Sequence, residues 1–319
     1  VRVLVTGGAG FIGSHLSQAL LARGDSVVVI DNLSTGRIQN VEHLRENKMF
    51  TLHVDTIANA ALLEKSVQSC DLVFHLAASV GVRLVVENPV ETIRTNVYGT
   101  ELLLDMCNTA RKRVVTASTS EVYGKSTQTP FTEDSDLVLG PTTVGRWSYA
   151  CSKATGEYLA LAYHREKGLA VCVVRLFNTI GPRQTGEYGM VVPRFVKQAL
   201  LGHPITVYGD GRQIRCFCDV RDAVNGLLLL SEADGAWGEV VNLGNDRHIT
   251  IAALADMVKG LAGSRSPIVH VPYEEVYGRA FEDMRTRVPS LTKIRSLVGY
   301  EPEHPLEETL ASVIDYFRG

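Results

Sequence analysis

The sequence predicts an α/β protein: a doubly wound parallel sheet followed by a smaller, less regular C-terminal region. Three observations predict it. Across the first half, short apolar runs rich in Val and Ile alternate with longer amphipathic stretches, the pattern of strands joined by crossover helices. From about Asn178 the alternation stops and Gly and Pro become frequent, as in Gly181-Pro182, Gly202, Pro204, Gly209 and Gly211. The chain has 319 residues, 45% of them hydrophobic, enough to bury a large core. No linker-like stretch separates residues 1–177 from 178–319, so the two parts are expected to share elements.

Taken in order, the expected strands are Val1–Val5, Val27–Ile30, Phe50–Val54, Leu72–Leu76, Val114–Thr116 and Ala170–Leu176. Each is short, β-branched and followed by small or polar residues. Ile12–Arg23, Val90–Ala110 and Tyr149–Lys167 carry helical apolar spacing.

The first strand runs into Thr6-Gly7-Gly8-Ala9-Gly10-Phe11-Ile12-Gly13 and then a helix. Gly7 suits the tight turn, Gly10 lets a pyrophosphate approach the backbone, and Gly13 lets helix and strand pack closely. The helix start, at Phe11 and Ile12, offers free N–H groups and partial positive charge to phosphates. This is the fingerprint of a Rossmann-like dinucleotide site. The second strand ends at Asp31-Asn32. A carboxylate at Asp31 binds adenosine ribose hydroxyls and repels a 2′-phosphate, which favours NAD over NADP; read blandly, Asp31 is a strand-end turn residue. Asp55, ending the third strand, is placed to meet the adenine amine. Leu76, Ala77 and Ala78 end the fourth and leave room for the cofactor backbone.

Tyr149 and Lys153 are four residues apart and share a helix face. A phenol is a poor base at neutral pH, but a nearby ammonium and a nicotinamide cation both favour its phenolate. Tyr149 is then fit to take a hydroxyl proton as hydride leaves. Thr119, with Ser120 beside it, lies just past the fifth strand and is the choice to orient the substrate hydroxyl.

Composition narrows the alternatives. The formal net charge is −3, so no overall basic field attracts nucleic acid. No apolar run is long enough to cross a bilayer, and no signal-peptide pattern opens the chain. The six cysteines are scattered, and Cys216-x-Cys218 alone is a poor zinc signature. No metal, no membrane and a cytoplasmic location are expected.

The segments TGGAGFIGSH, DNLSTG, HLAA, NVYGT, STSEVYG, YACSK, RLFNTIGPRQ and YGDGRQIRCF run in this order through most of the chain. Together they resemble the extended short-chain dehydrogenase/reductase family acting on nucleotide sugars. The resemblance implies NAD as cofactor and oxidation at sugar carbon 4, followed by epimerisation, dehydration or decarboxylation. It also implies substrate contacts: Asn178 with the diphosphate, Val192 in Gly189–Pro193 beneath the nucleotide, Val207 and Tyr208 beside the base, and Arg215 on the diphosphate. Finally it implies a homodimer, with Val90–Ala110 and Tyr149–Lys167 pairing across a two-fold axis; Leu102, Leu103, Leu159 and Leu161 serve that interface or the core.

Three residues bear on the branch. Glu121 stands where dehydratases and UDP-glucuronate decarboxylases carry Glu and simple 4-epimerases carry a small residue; a carboxylate there suits proton chemistry at carbon 5. Arg146-Trp147 before Tyr149 resembles decarboxylating relatives, and a guanidinium there is able to fork onto a hexuronate carboxylate. Arg287 resembles a late arginine of the same relatives, with Arg285 an equal competitor. The expected reaction is decarboxylation of UDP-glucuronate. A 4,6-dehydratase and a 4-epimerase stay open, because Ala150-Cys151-Ser152 and Ala154 depart from the common UDP-xylose synthase pattern. A non-catalytic NAD-binding regulator would have no use for Tyr149 and Lys153.

Overall fold

The computed structural model describes residues 1–79, 88–186, 190–277 and 284–319. Six strands of the first half, β1 (Arg2–Thr6), β2 (Ser26–Asp31), β3 (Phe50–Val54), β4 (Leu72–His75), β5 (Arg113–Thr119) and β6 (Val171–Leu176), match the six expected from the sequence. The short strands that follow are β7 (Thr179–Ile180), β8 (Ile205–Tyr208), β9 (Ile214–Cys216), β10 (Cys218–Asp219), β11 (Val240–Leu243), β12 (His248–Thr250), β13 (Ile268–Val271) and β14 (Thr286–Arg287).

The central sheet has seven parallel strands in the order β11-β6-β5-β4-β1-β2-β3. Side chains alternate across it. Val3, Val5, Val27, Val29, Phe74, Val115 and Val174 enter one buried cluster. Leu4, Ile30, Val73, Val114 and Val173 enter another on the opposite face. Helix α1 (Phe11–Ala22) and helix Val220–Glu232 cover the first face through Leu16, Leu20, Leu227 and Leu230. Helix α2 (Ala60–Ser69), helix Pro89–Thr109 and helix Trp147–Lys167 cover the second through Leu63, Val67, Leu103, Leu104 and Ala160. Burial on both faces is why these strands read as unbroken apolar runs.

Two differences from the sequence reading matter for the site. β5 runs past Thr116 to Thr119, because Ser118 and Thr119 pair with Arg175 and Leu176 of β6. A polar Ala-Ser-Thr run has no strand signal of its own; the neighbouring strand supplies the partner. The seventh strand, β11, was not expected. It comes from the second half and pairs with β6, Val241 opposite Val174.

The remaining C-terminal elements form a third apolar cluster. Helices Val191–Leu200, Ile251–Leu261 and Leu306–Arg318 pack there around β8. Beside it, β9 lies between β12 and β14, with Arg215 opposite Arg287. That pairing delivers residue 287 to the carboxyl end of the central sheet.

Candidate active site

β1 is flanked by β2 on one side and β4 on the other, so the connections diverge at its carboxyl end. Such a switch point opens a crevice beyond the strand ends. A cavity of about 390 Å³ lies there.

Its floor is the glycine loop. Gly7 has a φ of +73°, and a Cβ there would come within 2.8 Å of the Ala77 nitrogen. A Cβ on Gly13 would strike the Gly7 carbonyl. Gly10 caps α1 with no side-chain hydrogen bond, so the first N–H groups of the helix are not taken by a capping side chain. Asp31 is buried and accepts from Ala9 N at 2.9 Å and Leu33 N at 2.8 Å. Burial raises its pKa, and these backbone donors oppose the rise. Asp31 therefore anchors the loop as well as facing the cavity. Asp55 accepts from Thr56 N and Asn59 Nδ2, both at 2.7 Å. Gly7, Gly10, Phe11, Ile12, Gly13, Asp31, Asn32, Asp55, Leu76, Ala77 and Ala78 all line the cavity. The set fits a dinucleotide: a crevice, a helix start for phosphates and a carboxylate at the second strand end.

A directed hydrogen-bond chain ties this floor to the helix bearing Tyr149. Thr100 Oγ1 donates to the Asn96 carbonyl at 2.6 Å, so His75 Nε2–H must donate to Thr100 Oγ1 at 3.1 Å. His75 Nδ1 then accepts from Thr6 Oγ1 at 2.8 Å, which leaves His75 neutral. Burial, helped by the Lys153 charge, pushes its pKa down to about 3. Asn96 Nδ2 donates to Ser152 Oγ at 3.2 Å, and Ser152 Oγ donates to the Tyr149 carbonyl at 2.8 Å.

Tyr149 and Lys153 line the cavity with Thr119, Ser120, Asn178, Val192 and Arg287. The Tyr149 hydroxyl shares a hydrogen bond with Thr119. Thr119 Oγ1 also accepts from Glu121 N at 3.2 Å. The Tyr149 phenol is pushed above its ordinary range, by burial first and then by the Glu121 charge; Thr119 and Arg287 act in the opposite direction. The expected lowering by Lys153 is thus not the balance the protein side chains set by themselves. Burial lowers the Lys153 ammonium to about 8.

Glu121 sits one shell behind. It lies between two arginines: Arg287 Nη2 donates to its Oε1 at 2.7 Å, and Arg146 Nη2 is 3.5 Å from its Oε2. Arg287 Nη1 also donates to Asn178 Oδ1 at 3.4 Å, and Asn178 Nδ2 donates to the Cys216 carbonyl at 3.0 Å. Arg146 is buried, with its guanidinium 5.5 Å from the centre of the Trp147 ring. Of the two competing arginines, Arg287 is buried and faces the cavity, whereas Arg285 is exposed.

Glu121, Arg146, Val207, Tyr208 and Arg215 lie outside the cavity lining. Val207 is fully buried in the third apolar cluster. The Arg194 guanidinium lies 3.7 Å from the Tyr208 ring centre. Arg215 Nη1 donates to the carbonyls of Ile214 and Arg285 at 2.9 and 3.4 Å. Gly189 lies outside the described residues. The cavity also takes in residues the sequence reading did not single out: Ser34 and Thr35 near Asp31, and Gln184 and Thr185 from the second half. Ser34 and Thr35 belong to DNLSTG, so a signal existed. Gln184 likewise ends RLFNTIGPRQ, whereas Thr185 carried no signal. No group of His, Cys, Asp and Glu able to hold a metal occurs among the described residues.

The chain is similar to known proteins over its whole length. The chain is 42% identical over 318 residues to the UDP-N-acetyl-alpha-D-glucosaminuronate decarboxylase of Bacillus cytotoxicus, covering 99% of this chain and 98% of that one. It is 40% identical over 319 residues to UDP-glucuronic acid decarboxylase 1 of Arabidopsis thaliana, covering 100% of this chain and 70% of the relative. The crystal structure of UDP-glucuronic acid 4-epimerase from Bacillus cereus with UDP-glucuronic acid and NAD superposes with a TM-score of 0.90 at 30% identity, over 100% and 99% of the two chains. Residues 4–313 match the family model described as GDP-mannose 4,6 dehydratase, and the chain belongs to that family of nucleotide-sugar enzymes.

Proposed function

We propose that this protein uses NAD to decarboxylate a UDP-linked hexuronate, UDP-glucuronate first among the candidates. The observation that carries the reading is the Arg287–Glu121–Arg146 cluster directly behind Thr119 and Tyr149. NAD supplies the hydride acceptor for carbon 4. Tyr149 receives the carbon 4 hydroxyl proton, Thr119 orients that hydroxyl, with Ser120 beside it, and the Lys153 ammonium favours the phenolate. A carbonyl at carbon 4 is β to the carbon 6 carboxylate. The carbon 5–carbon 6 bond then breaks as carbon dioxide leaves, and its electron pair is taken up by the carbon 4 oxygen. Arg287 faces the cavity and meets the carboxylate; Arg146 acts through Glu121. Glu121 manages the proton at carbon 5.

From the cavity wall Asn178 contacts the substrate diphosphate and Val192 lies beneath the nucleotide; Arg215 is assigned to the diphosphate and Tyr208 to the base. Residues 1–177 chiefly hold NAD and residues 178–319 chiefly hold the nucleotide sugar. The working unit is a homodimer. Val90, Ile93, Tyr98 and Tyr158 are exposed on the two helices expected to pair, whereas Leu103 is core and Leu102 and Leu159 pack against it. No helix among the described residues is long and apolar enough to cross a membrane. The six free cysteines support a cytoplasmic setting.

The test is product mass after incubation with NAD and, separately, UDP-glucuronate, UDP-N-acetylglucosaminuronate, UDP-glucose and dTDP-glucose. Loss of carbon dioxide from a uronate supports the reading, and the better of the two uronates fixes the carbon 2 substituent. Loss of water from a neutral hexose makes it a dehydratase, and unchanged mass with inverted carbon 4 makes it an epimerase.

A further inference from the structure

Behind the helix that carries Tyr149 and Lys153 lies a second buried charge pair. Glu157 is one turn beyond Lys153 on the same helix face. Its carboxylate is buried and held from two strands. Ser118 Oγ, on β5, donates to Oε1. Arg175, on β6, donates from Nε at 3.0 and 3.2 Å and from Nη2 at 2.7 Å. Arg175 is itself fully engaged: Nη1 donates to Tyr123 Oη at 3.0 Å and to the Glu133 carbonyl at 3.1 Å, and the guanidinium lies 4.8 Å from the Tyr123 ring centre. Tyr123 in turn donates to Asn242 Oδ1 on β11 at 2.7 Å.

Burying two charges costs about as much as their attraction returns, so such a pair is weak evidence of a stabilising role. Lys153 gives it another. The ammonium is buried and has no ion-pair partner within 4 Å among the described residues. From β4 it faces His75, which is neutral, and on its own helix it has Tyr149 on one side and Glu157 on the other. Burial draws the proton off Lys153, and among the described residues the Glu157 charge opposes it.

We propose that Glu157, fixed by Ser118 and Arg175, is a positioning residue that keeps Lys153 charged beside Tyr149. This rests on Tyr149 and Lys153 being the proton-handling pair. The sign follows from the charge: an ammonium is present below its pKa and lost as pH rises through it. Removing a neighbouring carboxylate lowers that pKa, so the loss comes at lower pH.

Competitive acetylation of Lys153 with acetic anhydride across a pH series, read by mass spectrometry on the substrate-free protein, tests it. Glu157→Gln should lower the labelling midpoint by about one pH unit, and Glu157→Asp should restore it. The basic limb of the turnover profile should move the same way, with Asp again rescuing. Glu157→Gln with Arg175→Gln removes both charges and guards against loss of folding in the single variant; its midpoint should also lie below that of the unaltered protein, by less than in the single variant, because the lost guanidinium had acted on the ammonium in the opposite direction. Unchanged midpoints in both Gln-bearing proteins would overturn the proposal. A shifted midpoint in a protein that turns over no nucleotide sugar would uphold it and overturn the reaction assignment instead.

Discussion

The two ends of the cavity are built by different means. At the cofactor end, the constraints fall on the backbone and are local. Gly7 and Gly13 leave no space for a side chain, and Asp31, 22 residues from Ala9, holds the loop through the Ala9 N–H while also accepting from Leu33 N just beyond its own strand. At the sugar end, the constraints fall on side chains from distant segments. Glu121 and Arg287 are 166 residues apart, brought together because β14 pairs with β9. A site made of backbone tolerates little change and specifies one ligand class. A site made of distant side chains is free to vary its chemistry on the same frame.

That contrast is open to attack at several points. The largest effect should come from Tyr149→Phe, which serves both ends. Turnover should fall by roughly 10²–10⁴-fold, the usual worth of a general base, while NAD affinity by calorimetry stays within a few-fold. Lost NAD binding would show that Tyr149 holds the cofactor rather than the proton.

Next come the two arginines. Arg287→Met should weaken uronate binding by about ten- to a hundred-fold relative to the neutral hexose, the worth of one charge-assisted hydrogen bond. Arg146→Met should show less of this selectivity, since Arg146 lies outside the cavity lining and meets Glu121. Equal selective losses would put both arginines on the carboxylate. Glu121→Gln should still allow NADH absorbance to rise on adding substrate but stall before carbon dioxide leaves. A variant that makes no NADH would instead place Glu121 at the oxidation step.

At the cofactor end, Asp31→Ala should cost about 1–3 kcal/mol of stability, because it strands the Ala9 and Leu33 N–H groups. Urea unfolding measures it, and calorimetry should show the preference for NAD over NADP narrowing. Unchanged stability would make Asp31 a ligand group only.

A further expected effect is on acid stability. His75 and His15 are held neutral, with pKa values pushed down to about 3 and about 4, in both cases chiefly by burial. Unfolded, both take a proton below about pH 6.5. The unfolded state therefore binds more protons between about pH 6.5 and 3, and stability falls as pH drops through that window. A melting temperature flat from pH 7 to about pH 4 would show that neither ring is as enclosed as the structure has it.

The same division explains what the sequence made legible. The glycines, Asp31, and Tyr149 with Lys153 are each specified within a short segment, so their types and spacings carry the message. Central strands announced themselves because both faces are buried. β11 did not: it is four residues long and its partner, β6, lies more than sixty residues earlier. Arg287 was legible only by resemblance, with Arg285 indistinguishable from it: residues two apart would share a strand face, and it is the pairing of Arg287 with Arg215 in β14, with Arg285 left exposed before the strand, that separates them. Arg146 shows the reverse limit. Its type and place suggested a substrate ligand; its contacts with Glu121 and Trp147 could not be read from the sequence.

The return of the chain to the central sheet also bears on how the protein is made. When synthesis has passed β6, that strand is still an open sheet edge, and it stays open until β11 emerges more than sixty residues later. An unpaired edge of Val171, Cys172, Val173 and Val174 is an invitation to other strands. The first half therefore leaves the ribosome with that edge uncovered, and the nascent chain is most exposed to misassembly during that interval. Arg287 arrives later still, so a partly made chain already holding its glycine loop has no complete site with which to begin the reaction.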